Sequence, residues 1–195
     1  IALLQEGKIE AAIAGEVVEG PYQSALQNVA DNGLEDKIEV RLANGLAAFE
    51  PSDGISCITI AGMGGRLIAD ILAAGLEKLA NVSRLVLQPN NREDELRAWL
   101  VNHDFRIVDE AILEENEKFY EILVVEQGSQ ELTAKELRFG PYLMREQAPA
   151  FVQKWSKEVE KLAFALEQVP VENQSARASL EDRIAQIKEV LNASK

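Results

Sequence analysis

The segment Ile55–Arg66, ISCITIAGMGGR, constrains the fold of this chain more than any other. A β-branched run, Ile58-Thr59-Ile60, ends in a loop with three glycines in four residues, Gly62-Met63-Gly64-Gly65. An apolar-periodic helix follows at once. Glycine at such a junction lets backbone approach a ligand closely and leaves amides open at a helix N-terminus. The loop is not a P-loop, because no Gly-Lys-Ser/Thr follows it. The same form recurs one helix later as Leu85-Val86-Leu87, the polar turn Gln88-Pro89-Asn90-Asn91, and another helix. Neighbouring strands that end in glycine or polar loops are how an open α/β sheet builds a site at its strand carboxyl ends.

The flanking sequence extends this pattern. Ala11–Val17 reads as a short buried strand ending in an acid, and Pro21 opens a helix that Asn32-Gly33 stops. Lys37–Leu42 alternates as Ile38, Val40 and Leu42, a strand. The spacing then predicts a strand at 56–61, a helix at 65–75, a strand at 84–88 and a helix at 92–103. Phe105–Leu113 and Phe119–Val125 are strands joined only by Glu114–Lys118, so they form a hairpin and the second runs antiparallel. Parallel βα units that finish in an antiparallel hairpin depart from the all-parallel dehydrogenase pattern. Ile1–Glu6 reads as the end of a helix stopped by Gly7, which implies an earlier strand upstream of Ile1.

Beyond Pro141 the composition changes. Val152, Trp155, Val159, Leu162, Leu166 and Val169 are separated by steps of three and four, as are Leu180, Ile184, Ile187 and Leu191. Two such seams predict an antiparallel helical coiled-coil hairpin. The expected organisation is therefore an α/β domain over residues 1–128 and a hairpin over 141–195.

Composition narrows the function classes. The chain has 195 residues, 47% of them hydrophobic, yet no run approaches the roughly 20 apolar residues of a membrane span. A lone cysteine, Cys57, cannot close an internal disulfide, which suits a reducing cytoplasm. A lone histidine, His103, with no Cys or His partners at ligand spacing, argues against a metal site. The net charge of −13 argues against a general nucleic-acid coat. An RNA substrate then requires a local basic patch. Lys154, Lys157 and Lys161 recur at helical spacing and share a face, either for phosphates or simply for solvent.

Particular strand ends carry chemistry. In doubly wound nucleotide binders a strand-end acid such as Glu16 accepts hydrogen bonds from ribose hydroxyls; the bland alternative is a solvated turn acid. The Asn44 amide, followed by Gly45, offers the donor and acceptor that match an adenine edge, or else makes a plain Asn-Gly turn. The amides of Gln88, Asn90 and Asn91 are suited to a base edge and Arg92 to a phosphate, with helix capping by Asn91 as the alternative. Phe119 or Tyr120, at the start of the antiparallel strand, is placed to stack on a base or to pack in the core. No Ser-His-Asp or Cys-His pattern supports covalent catalysis.

Taken together, AIAGEVVEGPYQSALQNV, RLANGLAAFE, ITIAGMGG, LQPNNREDELRAWL and KFYEILVVE resemble the bacterial tRNA (adenine-N1)-methyltransferase family of the TrmK type. The likeness runs through the RFGPYL segment and the terminal hairpin. It implies a Rossmann-like class I S-adenosylmethionine (SAM) methyltransferase sheet that methylates the adenine at tRNA position twenty-two. By resemblance, Glu16 with Val17 is the ribose-binding strand end, and Asn44 with Gly45 the adenine-side turn. Ala61, Gly62, Met63 and Gly64 resemble the loop beside the methionine moiety and incoming base. Gln88, Pro89, Asn90 and Asn91 look like a second wall of the substrate pocket. The family also has a first strand carrying an aspartate- and glycine-containing SAM loop and a further Asp near the methyl group. The resemblance places these, with the family's carboxylate, before Ile1, and places that strand between Ala11–Val17 and Ile58–Ile60. The implied partners are SAM and tRNA, with no membrane, no metal, and a monomer or weak dimer in the cytoplasm. Two rival readings are a nicotinamide-dependent oxidoreductase, disfavoured by the hairpin strand, and a non-catalytic interaction protein using the coiled coil.

Overall fold

A computed structural model describes residues 1–193, so positions 194 and 195 of the expected hairpin lie outside the described residues. The chain divides into two compact units. One is Ile1–Ile58 with Leu67–Arg84; the other is Thr59–Arg66 with the chain from Leu85 onward.

In the first unit, helix α1 (Ala2–Gln5) precedes strand β1 (Ala12–Glu16), helix α2 (Glu19–Asp31) and strand β2 (Ile38–Leu42). The strands pair in parallel from Ala12↔Ile38 to Glu16↔Leu42. Parallel pairing requires a crossover, and α2 supplies it. Leu4, Val29, Leu34 and Ile38 form one buried cluster of this unit, with Ala12, Ala14 and Val40 packed against them. Helix α2 begins two residues before Pro21. A proline is tolerated there because the first N–H groups of a helix have no intrahelical acceptor. After β2 the chain makes short 3₁₀ turns at Gly45–Ala48 and Pro51–Asp53. Arg41 ties them down, donating to the Ala48 carbonyl at 3.0 Å and the Asp53 carboxylate at 2.6 Å.

The second unit is built on a sheet of β3 (Cys57–Met63), β4 (Arg84–Pro89), β5 (Phe105–Glu115) and β6 (Lys118–Gln127), in the order β3-β4-β6-β5. Strand β6 inserts between its neighbours and runs antiparallel to both, as the hairpin expectation required. Its turn is Asn116-Glu117, both with positive φ, the geometry that matches strand twist in a tight hairpin. Leu85, Leu87, Phe105, Ile107, Leu123 and Val125 are buried. Helix α4 (Glu93–Val101) follows β4, and helix α3 (Gly65–Ala74) starts after β3, its residues from Leu67 on belonging to the first unit. Strand β3 outruns its sequence expectation by two residues, because the Gln88 and Asn90 side chains bond Gly62 and the Asn90 backbone N–H bonds the Met63 carbonyl.

Past α5 (Ala134–Phe139) and α6 (Leu143–Glu146), helices α7 (Pro149–Gln168) and α8 (Gln174–Asn192) form the hairpin. They run antiparallel: Gln147 reaches the Val190 carbonyl at one end, and Arg177 caps the Leu166 and Val169 carbonyls at the other. Their core joins Phe139, Leu143, Phe151, Trp155, Leu162, Ile187 and Val190, with Ile112 of β5 packed against it. The hairpin is thus seated on the sheet of its own unit. The seam differs from expectation on both helices: on α8 Val190 is buried and Leu191 only partly so, and on α7 Val152 is 39% exposed and Phe151 is fully buried instead. The helix turns its inward face to meet the strand as well as its partner helix, which shifts the buried stripe by one residue.

Phe151→Ala should therefore cost about 3–5 kcal/mol in urea unfolding, and Val152→Ala under about 1 kcal/mol. Equal costs at the two positions would contradict this packing.

Candidate functional site

The β3–α3 and β4–α4 loops of the second unit are bonded to each other. The Gly62 N–H donates to Gln88 Oε1 at 2.9 Å, and Asn90 Nδ2 donates to the Gly62 carbonyl at 2.8 Å. The Asn90 N–H donates to the Met63 carbonyl at 2.7 Å, and the Gly65 N–H to the Asn91 carbonyl at 2.9 Å. Gln88 Nε2 completes the set with the Pro89 carbonyl and Asn90 Oδ1, each at 3.0 Å. Two glycines make this possible. Gly62 sits at φ +79° with open space around it, and a Cβ on Gly65 would collide with the Arg92 carbonyl.

This arrangement revises the expected roles of the polar turn. The amides of Gln88 and Asn90 hold the two loops together rather than standing free for a base edge. Pro89 is buried. Asn91 does not cap α4: the N-cap is Arg92, in the left-handed conformation and without a side-chain cap bond. The Asn91 side chain lies beside Gly64, where a Cβ would stand 3.0 Å from its Oδ1. Among the described residues the Asn91 amide makes no hydrogen bond, so it is the free amide of this loop. Arg92 pairs with Glu95 at 2.7 Å on an exposed surface. Ala61 and Met63 are exposed on the glycine side.

In the first unit, Glu16 ends β1 half-buried, and its carboxylate has no hydrogen bond or ion pair among the described residues. Val17 and Val18, just beyond it, are 62% and 57% exposed. Asn44, one strand over, is exposed, and its carboxamide makes no hydrogen bond among the described residues; Gly45 follows at φ +54° to start the 3₁₀ turn. A free strand-end carboxylate beside exposed apolar side chains is suited to a diol on a largely apolar ligand.

The three lysines do not form one solvent face. Lys154 is drawn inward, donating to Glu121 Oε1 at 2.7 Å and Glu93 Oε1 at 2.9 Å, which corrects its expected phosphate role. Lys157 is exposed, its ammonium 5.1 Å from the centre of the Phe119 ring. The Lys161 side chain is 78% exposed and, among the described residues, pairs with Glu158 at 3.5 Å. Tyr120 is half-buried opposite Leu113 of β5.

Lys154 belongs to a buried ionic network that the sequence reading missed. Arg97 of α4 is inaccessible to water and binds Glu110 at 2.8 Å and Glu121 at 2.5 Å, both themselves buried. Glu110 also accepts the Tyr142 N–H at 2.9 Å, and Arg97 donates to the Leu137 carbonyl at 3.2 Å. Burial pushes Glu110 above the usual carboxylate range against the pull of Arg97. Burial works against the Lys154 ammonium too, but Glu121 and Glu93 outweigh it and raise its pKa. One signal was available. Glu121 shares the odd-numbered face of Leu123 and Val125, an acid on a core stripe. Glu110 was hidden by a bulge between Ile107 and Asp109, which turns it onto the buried face.

The comparisons with known proteins decide the family. The TrmK model, tRNA (adenine(22)-N(1))-methyltransferase, matches residues 1–189. The chain belongs to the TrmK family. The Bacillus subtilis tRNA (adenine(22)-N(1))-methyltransferase is 38% identical over 196 residues, covering 95% of this chain and 82% of the relative. The crystal structure of Sp1610 from Streptococcus pneumoniae superposes with a TM-score of 0.96 at 65% identity, covering 98% of this chain and 86% of that one. The same protein in complex with S-adenosyl-L-methionine gives 0.90 at 64% identity, with the same coverage. The fold class is therefore the Rossmann-like methyltransferase sheet followed by a helical hairpin. The oxidoreductase and interaction-protein readings have no support from these relatives. Among the described residues, no helix is long and apolar enough to cross a membrane, and no cluster of three or more metal-ligating side chains occurs.

Two outcomes follow from the site's electrostatics. Arg97→Met leaves two buried carboxylates short of a partner and should cost about 3–5 kcal/mol in urea unfolding; a loss under 1 kcal/mol would contradict the network. In the first unit, the Arg41 guanidinium and the Glu50 N–H hold Asp53 down from the usual 3.8 to about 2. A depressed carboxyl stabilises the fold above its ordinary pKa, and that contribution fades as pH falls toward the depressed value. Carboxyl NMR titration should place Asp53 near 2 and return it toward the ordinary range in Arg41→Met; an Asp53 midpoint already ordinary in the unaltered chain would contradict the contact.

Proposed function

We propose that this chain transfers a methyl group from SAM to N1 of the adenine at position 22 of tRNA. The family match over nearly the whole chain carries this reading, and the 64%-identical relative that crystallised with SAM supports the choice of methyl donor. SAM, when bound, supplies an electrophilic methyl group on a sulfonium.

The free Glu16 carboxylate is assigned the ribose diol, with Val17 as its apolar neighbour. Asn44 and Gly45 are assigned the donor's adenine. In the second unit, Ala61, Gly62, Met63 and Gly64 are assigned the methionine moiety and the incoming base. The Gln88–Arg92 loop is assigned the substrate side: Asn91 supplies the free amide, Gln88, Pro89 and Asn90 hold its shape, and Arg92 adds charge. Tyr120 is assigned stacking, and Lys157 and Lys161 the tRNA phosphates. A base buried in a duplex or stacked loop must be flipped out to reach such a site. Adenine N1 is neutral and already nucleophilic, so the protein's task is chiefly to hold it in line with the methyl group. We assign the protein to the cytoplasm, as a tRNA substrate suggests, and to a monomer or weak dimer.

Purified full-length chain with labelled SAM should label a tRNA transcript carrying adenine at position 22 and not one carrying guanine there. Equal labelling of both transcripts would refute the base specificity. Glu16→Ala should weaken SAM binding about 10- to 100-fold by calorimetry, the worth of hydrogen bonds to a charged group. Unchanged affinity would remove the ribose role.

A further inference from the structure

We propose that Lys154, on the helical hairpin, is a positioning residue for the paired loops, acting through Glu93. Helix α4 begins directly after the Gln88–Arg92 loop, and its start lacks the usual anchor. Its N-cap is Arg92, whose side chain turns away to Glu95. Without a side-chain cap, the first turn of a helix has nothing local to fix where it begins. Lys154 supplies the missing restraint: it grips Glu93, the first helical residue, from α7, and braces against the buried Glu121. Both groups at the Glu93 end are about one-fifth exposed, so the contact is shielded enough to hold its geometry.

The restraint reaches the glycine loop by short steps. Asn91 and Arg92 immediately precede Glu93. The Asn91 carbonyl accepts the Gly65 N–H, and the Arg92 carbonyl lies so close to Gly65 that a Cβ has no room there. A shift in the start of α4 therefore moves Asn91 and loosens Gly65. Arg97 takes Glu121 Oε2 and Lys154 takes Oε1, so the buried carboxylate accounts for one bond of the ammonium and not for the bridge to Glu93. The ammonium's second bond, to the partly exposed Glu93, is the one that serves position rather than burial.

The kinetic arm of the test rests on the methyltransferase reading; the exchange arm does not. In full-length Lys154→Met and, separately, Glu93→Gln, the Gly65 amide should exchange faster with solvent while core amides such as Leu123 keep their protection. Glu93→Gln removes no fully buried charge, so it tests the idea even where Lys154→Met folds poorly. In both variants kcat for tRNA methylation should fall about 10- to 100-fold, as misplacement by about 1 Å does, with KM for tRNA unchanged. The double variant should be no worse than the poorer single one. Unaltered Gly65 exchange in folded variants overturns the proposal, and so does faster exchange with unaltered kcat. If the unaltered chain methylates no tRNA, the functional reading falls, and Gly65 exchange alone still judges the linkage.

Discussion

A guanidinium sealed from water organises the second unit. Arg97 sits on α4 between an acid from β5 and an acid from β6, and its third nitrogen donates to the Leu137 carbonyl of α5. Glu110 carries the chain of contacts to the Tyr142 N–H, and Glu121 carries it to Lys154 of α7. Charges taken out of water are costly, and only close pairing with further hydrogen bonds repays that cost. Each member here has such partners, so the network is stable only when sheet, α4, the α5–α6 joint and α7 are all in place. The hairpin is held by geometry as well as by its apolar seam, because an ionic contact tolerates less displacement than greasy packing does.

That rigidity matters at the strand ends. The β3–α3 and β4–α4 loops are joined by backbone bonds and by the amides of Gln88 and Asn90, so their shape does not wait for a ligand. Among the described residues, the Asn91 carboxamide is the side-chain amide of these loops left without a hydrogen bond. A reaction that needs orientation more than acid–base chemistry suits a site of this kind. It also explains why two carboxamides in the motif make no outward contact, as their work is done between the loops.

Much of this was legible in the sequence. Strand and helix periods gave every major element to within a few residues, because most buried positions repeat at steps of two or of three and four. The antiparallel β6 followed from two β runs with no room for a helix between them. The Gly62–Gly65 loop and the Gln88–Asn91 turn were recognisable as strand-end loops, but not as one bonded assembly, since nothing local couples residues so far apart in the chain. Lys154 illustrates the limit. Its spacing with Lys157 and Lys161 suggested a shared charged face, yet its partners Glu93 and Glu121 come from a different helix and a strand. Glu110 was concealed by a bulge that no periodicity anticipates. Phe151 displaced Val152 from the seam because α7 answers to the sheet as well as to α8.

The β3–α3 and β4–α4 loops are set before any ligand arrives. Amide exchange of the ligand-free, full-length chain tests this most directly. Gly62, Gly65 and Asn90 should be protected on the same scale as Leu87 within β4, because each N–H is held by a partner from the other loop. Exchange at the rate of an open surface loop at these three positions would contradict it.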